Sequence, residues 1–156
     1  MEIRVTLDNE YVKNPAYAEI QLTEKDGTRK LAMKMENHSF NKLLEVVNNI
    51  DLQSPLVHTS IYHCVQALQG DIEKIQIYDA IGFFKAKMFI KDQRADNTYA
   101  LHINVIDGII IASVCRCPIF VLEEVFQKYL DHIRLQEEQK PFRILEAFDY
   151  TTATKM

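Results

Sequence analysis

The stretch that decides the fold is His102–Val125, HINVIDGIIIASVCRCPIFVLEEV. Apolar residues alternate through Ile103 and Val105, become continuous from Ile109 to Ile111, break at Pro118, and resume at Ile119 ahead of Glu123 and Glu124. A strand, a helix over 107–115, a short strand around 119–121 and a second helix follow one another closely. Asp107 stands where the alternation stops, with Gly108 behind it. As a helix cap it would accept from the N–H groups of the opening turn. As a functional group it would be a carboxylate near strand ends, placed to hold a divalent metal or take a proton from water. Both readings of Asp107 stand at this point.

Working outward, three strands are expected near 72–78, 83–91 and 98–106. Their inward sets are Ile75 and Ile77, then Phe84, Ala86, Met88 and Ile90, then Leu101, Ile103 and Val105. The opposite face carries Lys74, Gln76 and Tyr78, then Lys85, Lys87 and Lys91 beside Phe89, then His102 and Asn104. Strand lysines next to an aromatic ring can follow a phosphate backbone and stack a base, or simply keep a sheet face in water.

Nearer the start, Ile3, Val5 and Leu7, then Ala16, Ala18, Ile20 and Leu22, then Leu31, Met33 and Met35 alternate as half-buried strands. Asp26-Gly27 between the last two signals a type I′ hairpin turn. Helical spacing follows in Phe40, Leu43, Leu44 and Val47, with Asn37 or Ser39 available as cap. A second helix is expected from Ser54-Pro55 to Gly70, its apolar stripe holding Ile61, Val65, Leu68 and also His58, a candidate base or ligand. The last helix buries Leu122, Val125, Phe126, Tyr129, Leu130 and Ile133 and stops by Pro141. The order βββααβββαβα predicts one α+β domain, a mixed sheet covered by helices. Residues 1–134 form that domain and 135–156 a C-terminal tail.

The chain has 156 residues, 47% of them hydrophobic and 26% charged, the profile of one globular domain with a substantial core. Its net charge of −4 speaks against a general nucleic-acid binder and leaves room for a local basic patch. No apolar run reaches the roughly 18 residues of a membrane span, and no signal peptide opens the chain, so a cytoplasmic protein is expected. Three cysteines, Cys64, Cys115 and Cys117, fit that compartment and are read as buried, inert thiols. Glu123 and Glu124 suit the positive end of the last helix; alternatively they join Asp107 around a metal, for which magnesium or manganese is the natural ion.

Three segments together, SPLVHTSIYHCVQALQGDIEKIQIYD, FFKAKMFIK and INVIDGIIIASVCRCPIFVLEEV, resemble the bifunctional nuclease (DNase/RNase) family. That family's pattern runs P-L-T-H-D-L, a strand pair, A-R-P-S-D-A-I-A-L-A, and a-P-I-[YF]-V-x-E-E-V. The resemblance covers about residues 3–130. It matches His58 to the motif histidine, Asp107 to the motif aspartate, and Pro118–Val121 with Glu123–Val125 to the final block. The chain departs at Asn104, Val105 and Ile106, where the family has arginine, proline and serine, at Thr59, where it has aspartate, and at Glu36 and Ser39, where it has glycine and glutamate.

The resemblance implies hydrolysis of phosphodiester bonds in DNA or RNA with a divalent metal. Asp107 would hold the ion or orient water, His58 would be a base or positioning group, and Lys85, Lys87, Lys91 and Asn104 would meet substrate. The departures and the acidic charge motivate an alternative, a catalytically silent homodimeric module that associates through the tail or a helix face.

Overall fold

The computed structural model describes residues 1–49, 56–79 and 84–138. Its element order is the expected one: β1 (Glu2–Lys13), β2 (Ala18–Glu24), β3 (Lys30–Met35), α1 (Asn37–Val47), α2 (Val57–Ala67), β4 (Gly70–Asp79), β5 (Lys85–Asp92), β6 (Asn97–Asn104), α3 (Val105–Cys115), β7 (Ile119–Leu122) and α4 (Glu123–Glu138). The strands form one seven-stranded sheet in the order β3-β2-β1-β7-β4-β5-β6. β4 and β7 run parallel and every other neighbouring pair is antiparallel. The protein is thus an α+β domain with a mixed sheet.

The solid apolar run is explained by α3, which is apolar around most of its circumference and is therefore largely buried. Val105, Ile109, Ile110, Ile111 and Ala112 are all buried. A Cβ built on Gly108 would come 3.1 Å from Cγ2 of Ile75 and 3.5 Å from Cγ2 of Ile103, so the missing side chain lets α3 settle onto β4 and β6. The alternating sets on β1, β2 and β3 supply the rest of this face: Val5, Ile20, Leu22, Leu31 and Met33 are buried. α1 covers them with Phe40 and Leu43.

Tyr129 of α4 shows that the sheet is curled. Its hydroxyl accepts from the Ala32 N–H of edge strand β3 at 2.9 Å, while its ring lies 6.1 Å from that of Phe84, at the start of β5. In a flat sheet β3 and β5 would stand five strand spacings apart, about 24 Å. One tyrosine touches both because the sheet wraps toward itself.

Several local expectations are corrected. Asn104, not Asp107, caps α3: its Oδ1 accepts from the N–H groups of Ile106 at 2.9 Å and Asp107 at 3.4 Å, and the helix starts at Val105. The β2–β3 connection is a five-residue loop, Lys25–Arg29, and Asp26 lacks the positive φ that a type I′ turn needs. Glu24 and Arg29 close that loop with an ion pair of 2.9 Å. Neither Asn37 nor Ser39 caps α1; Glu36 flanks it without a side-chain bond, and Asn37 donates instead to the carbonyls of Asn14 and Pro15. α2 begins at Val57 after an extended Leu56; Ser54, Pro55 and Pro141 lie outside the described residues, as do residues 139–156 of the tail. Gly70 opens β4 rather than closing α2, and Leu68 is exposed. Cys64 is exposed; Cys115 and Cys117 are half-buried and share a hydrogen bond that lowers Cys115 to about 7. Among the described residues no helix is long and apolar enough to cross a membrane.

Candidate functional site

His58 and Asp107 are 49 positions apart in sequence and meet in space. His58 occupies the first turn of α2 and Asp107 the first turn of α3. Nε2 of His58 and Oδ1 of Asp107 are 2.9 Å apart. A carboxylate only accepts, so Nε2 carries the proton in this contact. The two side chains differ sharply in exposure: His58 is 8% exposed and Asp107 52%. The other ring nitrogen, Nδ1, is enclosed and has no hydrogen-bond partner. The group able to touch a substrate is therefore the Asp107 carboxylate, and the imidazole behind it fixes its orientation. Two helix N-termini converge there, and their partial positive charge favours a bound anion such as phosphate.

The remaining acids lie elsewhere. Glu123 is held by Arg29 through bonds of 2.7 and 2.9 Å, and this bidentate pairing lowers its pKa to about 2. Arg29 in turn binds Glu24 and stacks over Phe126, 4.8 Å from the ring centroid. Glu124 lies beside Glu123 in the first turn of α4. Among the described residues no three His, Cys, Asp or Glu side chains gather, so Asp107, Glu123 and Glu124 do not form the metal set expected from sequence. The reason is topological: α4 starts at the end of β7, where Arg29 waits, while α3 starts at the end of β6. Among the described residues no acid cluster surrounds Asp107, so its carboxylate would hold magnesium or manganese only together with water and substrate phosphate.

The lysines occupy the sheet face turned away from α3. Ile75 and Ile103 face the helix, so strand alternation puts their neighbours on the other side. Cross-strand pairing then builds a row of Arg4, Phe120, Gln76, Lys87 and His102 across five strands. Beside it Lys74 stands opposite Phe89, and Lys85 opposite Asn104. Lys74 is 4.7 Å from the Phe89 centroid and is paired with Glu2 at 2.6 Å. Lys87 lies 4.7 Å over Tyr78, whose hydroxyl is 3.0 Å from Nδ1 of His102. Lys85 approaches Asp79 at 3.8 Å and Lys91 approaches Asp96 at 3.6 Å. Lys91 is six residues along β5 from Lys85, about 20 Å, and cannot act on the same phosphate.

A hollow of about 370 Å³ lies at the Lys85 end of this face, lined by residues that include Tyr78, Phe84, Lys85, His102 and Asn104. Asn104 links the two regions, since it lines the hollow and caps the helix that carries Asp107 one turn further on.

The profile of the bifunctional nuclease domain matches residues 20–133, most of the described chain. The protein belongs to the bifunctional nuclease domain family. A search among curated proteins found no match. The bifunctional nuclease domain match includes both members of the dyad, the lysine face and Glu123, and ends within α4. Sequence reading missed Arg4 and Phe120 as members of the basic face, because only strand order brings β1 and β7 beside β4. It also missed Arg29 as the partner that occupies Glu123.

Proposed function

We propose that this bifunctional nuclease domain binds nucleic acid on its basic sheet face and hydrolyses phosphodiester bonds at Asp107. The observation that carries the reading is the dyad: a half-exposed carboxylate, one oxygen fixed at 2.9 Å by a buried imidazole, at the meeting point of two helix N-termini. A strand laid over Lys87 and Lys85 would reach Asn104 at the end of β6 and would have to turn round that end to meet Asp107 at the start of α3. There the open carboxylate oxygen takes a proton from an attacking water, the new P–O bond forms, and the opposite P–O ester bond breaks, its oxygen leaving as a hydroxyl that takes its proton from solvent. The helix N-termini offset charge on the phosphate at Asp107, and the lysines hold the neighbouring part of the backbone across the sheet. His58 is a positioning residue in this scheme, since its enclosed ring cannot reach the phosphate.

The test is cleavage of single- and double-stranded DNA and RNA by purified protein, with EDTA and with magnesium or manganese added. Asp107→Asn keeps the shape and still accepts from His58 but is a poor proton acceptor, so the rate should fall by about 10²–10⁴. Substrates left intact under every condition would remove the hydrolase reading. The alternative, a silent interaction module, is favoured by the absence of an acid cluster among the described residues.

A further inference from the structure

The two edges of the sheet are treated differently. At β3 the outward backbone is taken up: the Tyr129 hydroxyl accepts from the Ala32 N–H at 2.9 Å and donates to the Ala32 carbonyl at 3.4 Å. Lys30 and Lys34 add charge to that strand. Both are ordinary ways of preventing an edge from pairing with another chain. At β6 neither device is present among the described residues. This eight-residue strand, NTYALHIN, contains no Asp, Glu, Lys, Arg or Pro and, among the described residues, pairs only with β5. All its residues except Ile103 are exposed, among them Tyr99 at 49% and Leu101 at 47%.

We infer that β6 is the contact between two copies of this chain, paired antiparallel about a two-fold axis perpendicular to the sheet. An isologous contact sets each surface against itself, so a charged strand would place like charges together, whereas an uncharged one does not. With a net charge of −4 per chain, two copies repel over most approaches, and β6 is where close approach costs least. Pairing satisfies the open backbone groups of both edges and covers Tyr99 and Leu101, which flank the Ile90 and Met88 side of β5. Faces are preserved by such an axis, so the lysines of both copies lie on one continuous surface. The inference is independent of catalysis at Asp107.

Light scattering on the full chain during size exclusion should give twice 18.2 kDa at micromolar concentration. Leu101→Lys and Tyr99→Glu should each restore the single-chain mass with unchanged circular dichroism, while Lys34→Glu on the covered edge stays dimeric. Hydrogen exchange of wild type gives a second readout that needs no variant: protection of the outward β6 amides should fall on dilution. A single-chain mass for wild type, a dimer that survives both folded β6 variants, or β6 protection independent of concentration would overturn the inference. The last result would mean that a segment of the same chain covers the edge.

Discussion

Removing Asp107 tests the dyad more sharply than removing His58, because the two side chains sit on opposite sides of the burial boundary. Asp107→Ala leaves a buried imidazole with neither nitrogen paired, since Nδ1 has no partner already. Leaving a buried donor unsatisfied costs about 1–3 kcal/mol. Loss of the acid from the first turn of α3 adds about 0.3–1 kcal/mol. His58→Leu, in contrast, removes two polar atoms from an apolar site and leaves a half-exposed carboxylate that water can solvate. Replacing a buried partner with an apolar group of similar size is nearly neutral, within about 1 kcal/mol. The double variant should therefore be more stable than Asp107→Ala alone, recovering most of its loss except the helix-dipole part. Urea unfolding of the four proteins measures this cycle. Asp107→Ala should lower the thermal midpoint by about 2–4 °C per kcal/mol lost. If it costs under about 0.5 kcal/mol, or if adding His58→Leu deepens the loss, the hydrogen bond does not hold His58 as described.

Other outcomes follow from neighbouring observations. Glu123 has its pKa depressed to about 2 by Arg29, so its ion pair contributes stability above the unfolded value of 4.5 and loses it as pH falls toward 2. Glu123→Gln should lower stability at neutral pH and flatten its dependence on pH across that window, so that the two proteins converge near pH 2, as acid titration of the unfolding midpoint will show. Gly108→Val would push a branched side chain into Ile75, already 3.1 Å from a built Cβ, and should destabilise by about 1–3 kcal/mol in urea unfolding. Lys87→Gln should weaken binding of labelled single-stranded DNA and reduce the slope of log K against log salt by about 0.7. An unchanged slope would take Lys87 off the binding face.

Periodicity made most of the fold legible, because each element buries one face against the same core. Strand alternation in Ile75, Ile77, Ala86 and Met88 translated directly into burial, and the unbroken Ile109–Ile111 run marked the enclosed helix. The expectations that failed depended on which of several competent groups takes a bond. Asn104 and Asp107 can both cap, and Asn104 does so because β6 delivers it to the helix start in an extended conformation. Glu123 was legible as a first-turn acid but not as the partner of an arginine 94 positions away. For the site, the pairing of His58 with Asp107 needed the packing of α2 on α3, which no local pattern encodes. The lysines were readable as one stripe, yet their position across the sheet from α3 follows only from the pairing of β4, β5 and β6.

The substitutions around Asp107 make physical sense as one change. In the family pattern, proline falls at position 105, the first position of α3, where it presets helical φ without sacrificing a hydrogen bond. Here Val105 occupies that position, and helix initiation passes to Asn104, whose side chain accepts from the second and third helical N–H groups. A cap of this kind contributes about 1 kcal/mol, enough to keep the helix start, and with it Asp107, in register. The family's arginine at position 104 would have offered a cation on the lysine face. Lys85 stands directly across from Asn104 on the neighbouring strand, so a positive charge is retained one strand away. An ammonium does not reproduce the two-pronged grip of a guanidinium on phosphate. In the proposed reaction, Asn104 would keep Asp107 in register while Lys85 would hold the phosphate backbone less firmly than a guanidinium, so the expected loss falls on binding before chemistry.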